Sequence, residues 1–343
     1  MIRLGRQLAK NAKFLSFTFA LLSSLMGLYT MMPNAYAANI NTSHLALAPA
    51  VAAHLRAVVT SGSSSNWSGY EATSSRGAFK KVQCSAKVPT LTTAGDVSTW
   101  CGLGGDPSAV PGYITPILVQ AGFDSCLGNS CNGDDPNVQQ NSAWWEIADA
   151  LVVQTVHFTK NVHPGDTMYF YIESDTRSGP KDIFYLNNLT TKETHKIIVN
   201  LQGATNNGRP YSINRTGLKG TLHLISDGAT VECIIERPII VGDGTLASLP
   251  TFGSEKVQTC DAGTKRASLT PIGFLPKVSK ITMFNSSPQS QGMNAARQQR
   301  DSTGNVIALP SSLTGRLRDS FIVKEPTLTV RPFFPFYSGL PKS

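Results

Sequence analysis

Two short segments far apart in the chain, Ile117-Leu118-Val119-Gln120-Ala121-Gly122 and Val231-Glu232-Cys233-Ile234-Ile235-Glu236, each set a polar side chain into an otherwise apolar run. Burying an amide or a carboxylate without partners costs on the order of a few kcal/mol, and more if it is charged, so such positions call for a compensating role. Brought together, Gln120 and Glu236 would supply a neutral hydrogen-bond donor and an acid/base, enough for water-mediated acyl hydrolysis. Glu236 can take a proton from water as it attacks a peptide carbonyl and return it to the leaving nitrogen, which cannot depart as an amide anion. The Gln120 amide stays neutral at any relevant pH. Its NH2 can therefore donate to the developing oxyanion even in acid, where a histidine would be cationic. An unshifted Glu, with a pKa near 4.3, suits that cycle in acidic surroundings.

The elements that must position these groups read as strands. β-branched and aromatic runs separated by turn residues fall at 67–72, 79–88, 97–103, 116–123, 143–157, 167–174, 182–189, 194–201, 220–225, 229–236 and 278–284. Helical periodicity is scarce. The spacing predicts an antiparallel sandwich and argues against βαβ units. Strand parity puts Leu118, Gln120 and Gly122 on one face, Ile234 and Glu236 on one face, and Trp144 with Glu146. Val162-His163-Pro164-Gly165-Asp166 reads as a turn into a strand, and 187–192 as a hairpin end.

The first 37 residues read as a secretory signal peptide: Arg3, Arg6, Lys10 and Lys13, then an apolar stretch from Phe14 to Met26, then Ala35-Tyr36-Ala37. Without those four basic residues, 26 Lys and Arg face 22 acidic residues, and the formal charge falls from +8 to +4. The basic residues that remain are scattered, which argues against a nucleic-acid partner. No apolar run has the ~18 residues of a spanning helix, so no membrane association is expected once the signal is removed. A secreted protein is expected, extracellular or periplasmic, acting as a monomer.

The Ala/Leu-rich stretch around 44–59 lies in a short pro-segment or linker at 38–61. A single large β domain is expected at 62–325, and a Pro/aromatic tail at 326–343. Residues 285–305 read as an exposed loop. All six cysteines, at 84, 101, 126, 131, 233 and 260, follow the signal, an even number in a chain bound for an oxidising compartment. No free thiol is expected. Cys126 and Cys131 are expected to close a small loop, and three pairings stay open among the other four. With no C-x-x-C and six dispersed His, neither a metal nor another cofactor is expected.

Ser65-Asn66-Trp67-Ser68-Gly69-Tyr70, Trp100-Cys101-Gly102-Leu103-Gly104-Gly105, Ile117-Leu118-Val119-Gln120-Ala121-Gly122, Ala143-Trp144-Trp145-Glu146 and Val231-Glu232-Cys233-Ile234-Ile235-Glu236 occur in this order. By these five signatures the chain, over about residues 62–285, resembles the glutamic peptidases (eqolisins). The resemblance implies a concanavalin A-like β-sandwich of two curved antiparallel sheets with a substrate groove on the concave face. It also implies an acid-acting endopeptidase on polypeptide substrates, with Gln120 and Glu236 as the catalytic pair. Trp100, Trp144 and Glu146 would line or support that site. Two positions depart from the fungal members of the family, which carry acidic residues where this chain has Gly104 and Ser142.

Other readings compete at each position. Gln120 could be a buried amide satisfied by backbone, and Glu236 a strand-end carboxylate paired with Arg237. Glu146 could be held by a Lys or Arg, and the tryptophans could be core. Glu232 shares the parity of Glu236 and would face a wet part of the groove or solvent. At the level of the whole protein, a carbohydrate-binding lectin or a glycosidase using Glu146 and Glu236 would fit a secreted sandwich. Both leave Gln120 without a role. A serine hydrolase is disfavoured by the absence of G-x-S-x-G.

Overall fold

The computed structural model describes residues 58–106, 117–129, 131, 135–148, 151–174, 181–200, 202–212, 226–239, 245–264, 268–285 and 305–326. Strands dominate. In chain order they are β1 Val58–Ser64, β2 Trp67–Thr73, β3 Lys81–Lys87, β4 Gly95–Leu103, β5 Val119–Leu127, β6 Gln140–Ile147, β7 Leu151–Val156, β8 Thr167–Ser174 and β9 Lys181–Asn188. These are followed by β10 Glu193–Asn200, β11 Gly203–Asn206, β12 Arg209–Tyr211, β13 Thr230–Glu236, β14 Ser254–Gly263, β15 Thr270–Pro271, β16 Lys277–Asn285, β17 Asn305–Pro310 and β18 Phe321–Lys324. Among the described residues the only helical element is a 3-10 turn at Ile272–Phe274.

The strands form two sheets, as the all-β sandwich reading expects. One is ordered β1, β16, β2, β13, β4, β5, β6, β7. The other is ordered β12, β11, β10, β9, β8, β3, β14, β18, β17, with β15 also on β14. Strand β17 also pairs with β16 and so ties the two sheets at one edge. All pairings are antiparallel except β1 with β16, which is parallel. Strands β8 and β9 alternate part-buried and buried residues without a break, the period-2 pattern of a strand with one face on a core.

The core fills the space between the sheets. Val97, Cys101, Leu103, Val231, Cys233 and Ile235 of the first sheet meet Val82, Ala86, Met168, Phe170, Ile172 and Phe184 of the second in one apolar cluster. Aromatic pairs bridge it: Trp145 with Phe184 and Tyr70 with Phe321, both at 5.0 Å between ring centroids, and Phe123 with Phe170 at 6.2 Å. Each such pair adds ~0.5–1.5 kcal/mol beyond its area burial. Three disulfides, Cys84–Cys101, Cys126–Cys131 and Cys233–Cys260, leave no cysteine free among the described residues. Cys101 and Cys233 are neighbours in the first sheet and Cys84 and Cys260 in the second, so two bridges cross the core side by side. That resolves the pairing left open by the sequence.

Some expected elements differ. The run 143–157 is two strands, β6 and β7, because the chain from Ile147 to Leu151 carries no Gly, Pro or Asn to signal a turn. Strand β14 escapes the apolar pattern because one of its buried positions is a glutamate, Glu255. Residues 58–61, within the segment read as a linker, are the first half of β1 and pair with β16. The signal segment, residues 38–57, the run 220–225, the stretch 286–304 and the tail beyond 326 lie outside the described residues.

Candidate active site

Strands β2, β13, β4, β5 and β6 are consecutive in the first sheet, and alternation turns every second side chain away from the core. On that outer face three rows cross the strands. Trp67, Glu236, Ser98, Asp124 and Ser142 form one, Gly69, Ile234, Trp100, Gly122 and Trp144 the next, and Glu71, Glu232, Gly102, Gln120 and Glu146 the third. All five residues singled out from sequence therefore share one face. Gln120 and Glu236 sit on either side of the tryptophan row. The floor between them is a second apolar cluster that includes Trp67, Trp100, Leu118, Trp144 and Ile234.

Glu236 ends β13. Its Oε2 accepts from the Trp100 indole Nε1 at 2.6 Å and its Oε1 from the Asn66 Nδ2 at 3.1 Å. Burial pushes its carboxyl up to about 8; hydrogen bonds from Trp100 and Asn66 pull against that, and the charge of Glu146 adds to it. The expectation of an unshifted glutamate is thus corrected: the apolar floor outweighs the donors. The alternative partner is also removed, since Arg237 turns its Nε to the Ala247 carbonyl instead of to Glu236.

Gln120 is buried, and its Nε2 donates to Glu146 Oε2 at 2.6 Å across the β5–β6 ladder. Its Oε1 has no protein partner. The influence of Glu146 on Glu236 brings the two ends of the site into electrostatic reach of one another. Two glycines make the packing possible. A Cβ on Gly102 would meet Leu118 Cδ1 at 2.8 Å and the Trp100 ring at 3.1 Å, and one on Gly122 would meet the Thr99 carbonyl at 2.3 Å.

Trp100 stacks edge-on against Trp67 at 5.0 Å. Trp144 donates its indole N–H to Asp124 Oδ1 at 2.8 Å, and Ser98 Oγ donates to the same oxygen. Burial raises the Asp124 carboxyl to about 6, against the pull of those two bonds, and burial together with Asp124 raises Asp96 to about 7. Sequence reasoning passed over Asp124, although it lies four residues beyond Gln120 on the same parity. It also passed over Asn66, a residue of one of the quoted signatures.

Glu232 does not face water. It is fully buried beside its cross-strand neighbour Glu71, and burial followed by the charge of Glu71 holds its carboxyl well above the usual range. Parity names a face but says nothing of depth. Gly104 has a physical reason: with φ +78° it lies where L side chains are strained, and a Cβ would come within 2.5 Å of the Ile117 carbonyl. No acidic side chain fits there. Ser142 is the cross-strand neighbour of Asp124. Among the described residues no group of three or more His, Cys, Asp or Glu is arranged to hold a metal ion, and no helix is long and apolar enough to cross a membrane.

The sequence model of the Peptidase A4 family matches residues 65–291. No match is found among curated proteins. Among solved structures, the chain is similar to scytalido-glutamic peptidase with a transition state analog inhibitor, at 17% identity over 76% of this chain and 98% of the other, with a TM-score of 0.48. It is also similar to SCP-B, a member of the eqolisin family of peptidases in a complex with the tripeptide Ala-Ile-His, at 17% identity, the same two coverages and a TM-score of 0.45.

Proposed function

The chain belongs to the Peptidase A4 family and is a glutamic peptidase, and from that premise we propose a secreted, acid-acting endopeptidase in which Glu236 and Gln120 carry the chemistry. The observation that carries this reading is the Glu236 carboxyl, gripped at both oxygens by uncharged N–H donors on an apolar floor that raises its proton affinity to about 8. Below that pH the resting group is protonated. One of its oxygens can then take a proton from the attacking water while the other gives its proton to the departing amide nitrogen. The carboxyl ends the cycle as it began, with no net proton gained.

Gln120 supplies the second half. One Nε2 hydrogen is committed to Glu146, and the other is free to donate to the oxyanion that develops on the scissile carbonyl. Trp67, Trp100 and Trp144 form an apolar wall that strengthens these interactions by excluding water. Polypeptides are the substrates, and the protein acts as a monomer. Export is supported by the signal-like first 37 residues and by the three disulfides.

Glu236→Gln tests the reading directly. It keeps shape and hydrogen bonding but cannot cycle a proton, so hydrolysis of a denatured protein substrate should fall by about 10²- to 10⁴-fold. The fold should survive. A folded Glu236→Gln protein with full peptidase activity would overturn the assignment.

A further inference from the structure

Asn66 precedes β2 and is fully buried, as is Ser64 at the end of β1. The Ser64 hydroxyl accepts from two backbone amides, Asn66 N at 3.2 Å and Trp67 N at 3.1 Å. Its one hydrogen is therefore left for the Asn66 Oδ1, 2.9 Å away. That fixes the amide: the oxygen faces Ser64, and the NH2 faces Glu236 Oε1. The Asn66 backbone adds a second grip, its carbonyl accepting from Arg237 N at 2.8 Å, one residue beyond Glu236.

We propose that Asn66, locked in one orientation by Ser64, is a positioning residue that holds the Glu236 carboxyl in place and sets its proton affinity. The proposal rests on the reading of Glu236 as the acid/base and deepens it. Other groups on the same face of the sheet are acids: Glu146 on β6, Asp124 on β5, Glu232 on β13 and Glu71 on β2. Behind the sheet, Glu255 of β14 bonds to Thr99. Of these, Glu146 acts on Glu236 through its charge and favours the protonated form, while burial keeps Asp124, Glu232 and Glu255 protonated in acid. The pull in the other direction comes from neutral donors, of which Asn66 is the one with a dedicated orienting partner. A donor that cannot ionise works equally well at any pH, whereas a Lys or His in its place would drive Glu236 to the carboxylate in acid.

The test is the titration of Glu236 itself, read from the infrared band of its protonated carboxyl by difference against Glu236→Gln, in the full-length mature protein and in Asn66→Ala and Ser64→Ala. Losing one hydrogen bond to the charged form should move the midpoint upward by about one pH unit or more in Asn66→Ala, and by less in Ser64→Ala, where the amide is still present but free to turn. The alkaline limb of kcat should move with it, and kcat should fall more than KM rises. Asn66→Asp keeps the shape but carries a charge above its own titration, so it should push the Glu236 midpoint higher still. An unmoved midpoint in folded Asn66→Ala would overturn the proposal, and so would an unmoved midpoint in Ser64→Ala if Asn66→Ala does not fold. The parent reading fails separately, by full activity in Glu236→Gln, an outcome that leaves the titration interpretable.

Discussion

Gln120 and Glu146 are direct cross-strand neighbours, and the amide of one donates to the carboxylate of the other at 2.6 Å. The bond decides which way the glutamine points. A primary amide turned over would present its oxygen to a carboxylate, so Glu146 keeps the NH2 end on its own side, the orientation that the proposed donation to substrate requires.

Gln120→Ala should therefore lower kcat by about 10²- to 10³-fold with little change in KM, because the lost donor matters mainly in the transition state. Gln120→Glu can donate only when protonated, so its residual activity should shift to lower pH than the parent. Glu146→Ala leaves the amide in place but free to turn and should cost less than Gln120→Ala. Steady-state kinetics on one peptide substrate would settle the order. A Gln120→Ala enzyme with parental kcat would remove the glutamine from the mechanism.

Under the proposed mechanism the raised carboxyl of Glu236 sets the direction of the pH profile. Its proton is held through the acid range and lost near pH 8, so kcat should be sustained in acid and fall tenfold per unit on the alkaline side of that value. A rate that climbs steadily from pH 4 to pH 8 would show the ionised form to be the active one.

Stability should follow pH in the same sense. Glu236, Glu232, Glu255, Asp96 and Asp124 all have carboxyls raised in the folded protein, chiefly by burial. In the unfolded chain these groups lose their protons near pH 4, whereas the folded chain keeps those of Asp124, Asp96, Glu236 and Glu255 to about pH 6–8 and holds that of Glu232 well above its ordinary range. Over that window the unfolded state binds fewer protons, so stability is greatest in acid and declines as pH rises. Melting temperatures should drop between pH 4 and pH 8. Glu232→Gln should reduce that drop, raising the melting temperature at pH 7.5 by about 2 °C or more while leaving activity in acid unchanged. A Glu232→Gln protein that is folded but inactive would make Glu232 part of the chemistry.

Thiol titration of the denatured, unreduced mature protein should find no reactive sulfhydryl, and peptide mapping should find Cys84 with Cys101, Cys126 with Cys131 and Cys233 with Cys260. Two or more free thiols, or a Cys101–Cys233 link, would contradict the arrangement of the sheets.

What the sequence revealed was mostly a matter of period. Alternation along β5, β6 and β13 puts Gln120, Trp144, Glu146 and Glu236 on facing parities, and that parity is what brings them to one face. Depth was not legible. Glu232 and Glu236 have the same parity, yet one is sealed beside Glu71 and the other lies at the strand end among indoles, a difference set by neighbouring strands that no local pattern encodes. The Glu236 shift escaped for the same reason. Asn66 carried no role because its function depends on a serine and a glutamate that come together only in the fold. Strand β14 stayed hidden because its burial includes a carboxylate and a cystine in place of an apolar alternation.

The disulfides also bear on how long such an enzyme lasts among its own copies. Each closes a short stretch of chain, with separations of 17, 5 and 27 residues. The two that cross the core fasten β4 and β13, which carry Trp100 and Glu236, to β3 and β14 behind them. A peptide bond cut between Cys84 and Cys101, between Cys126 and Cys131, or between Cys233 and Cys260 releases no fragment. The nicked halves remain covalently one molecule, with the indole and the carboxyl still anchored from the rear. Self-digestion at these loops would thus show as new chain ends on a reducing gel well before it showed as lost activity.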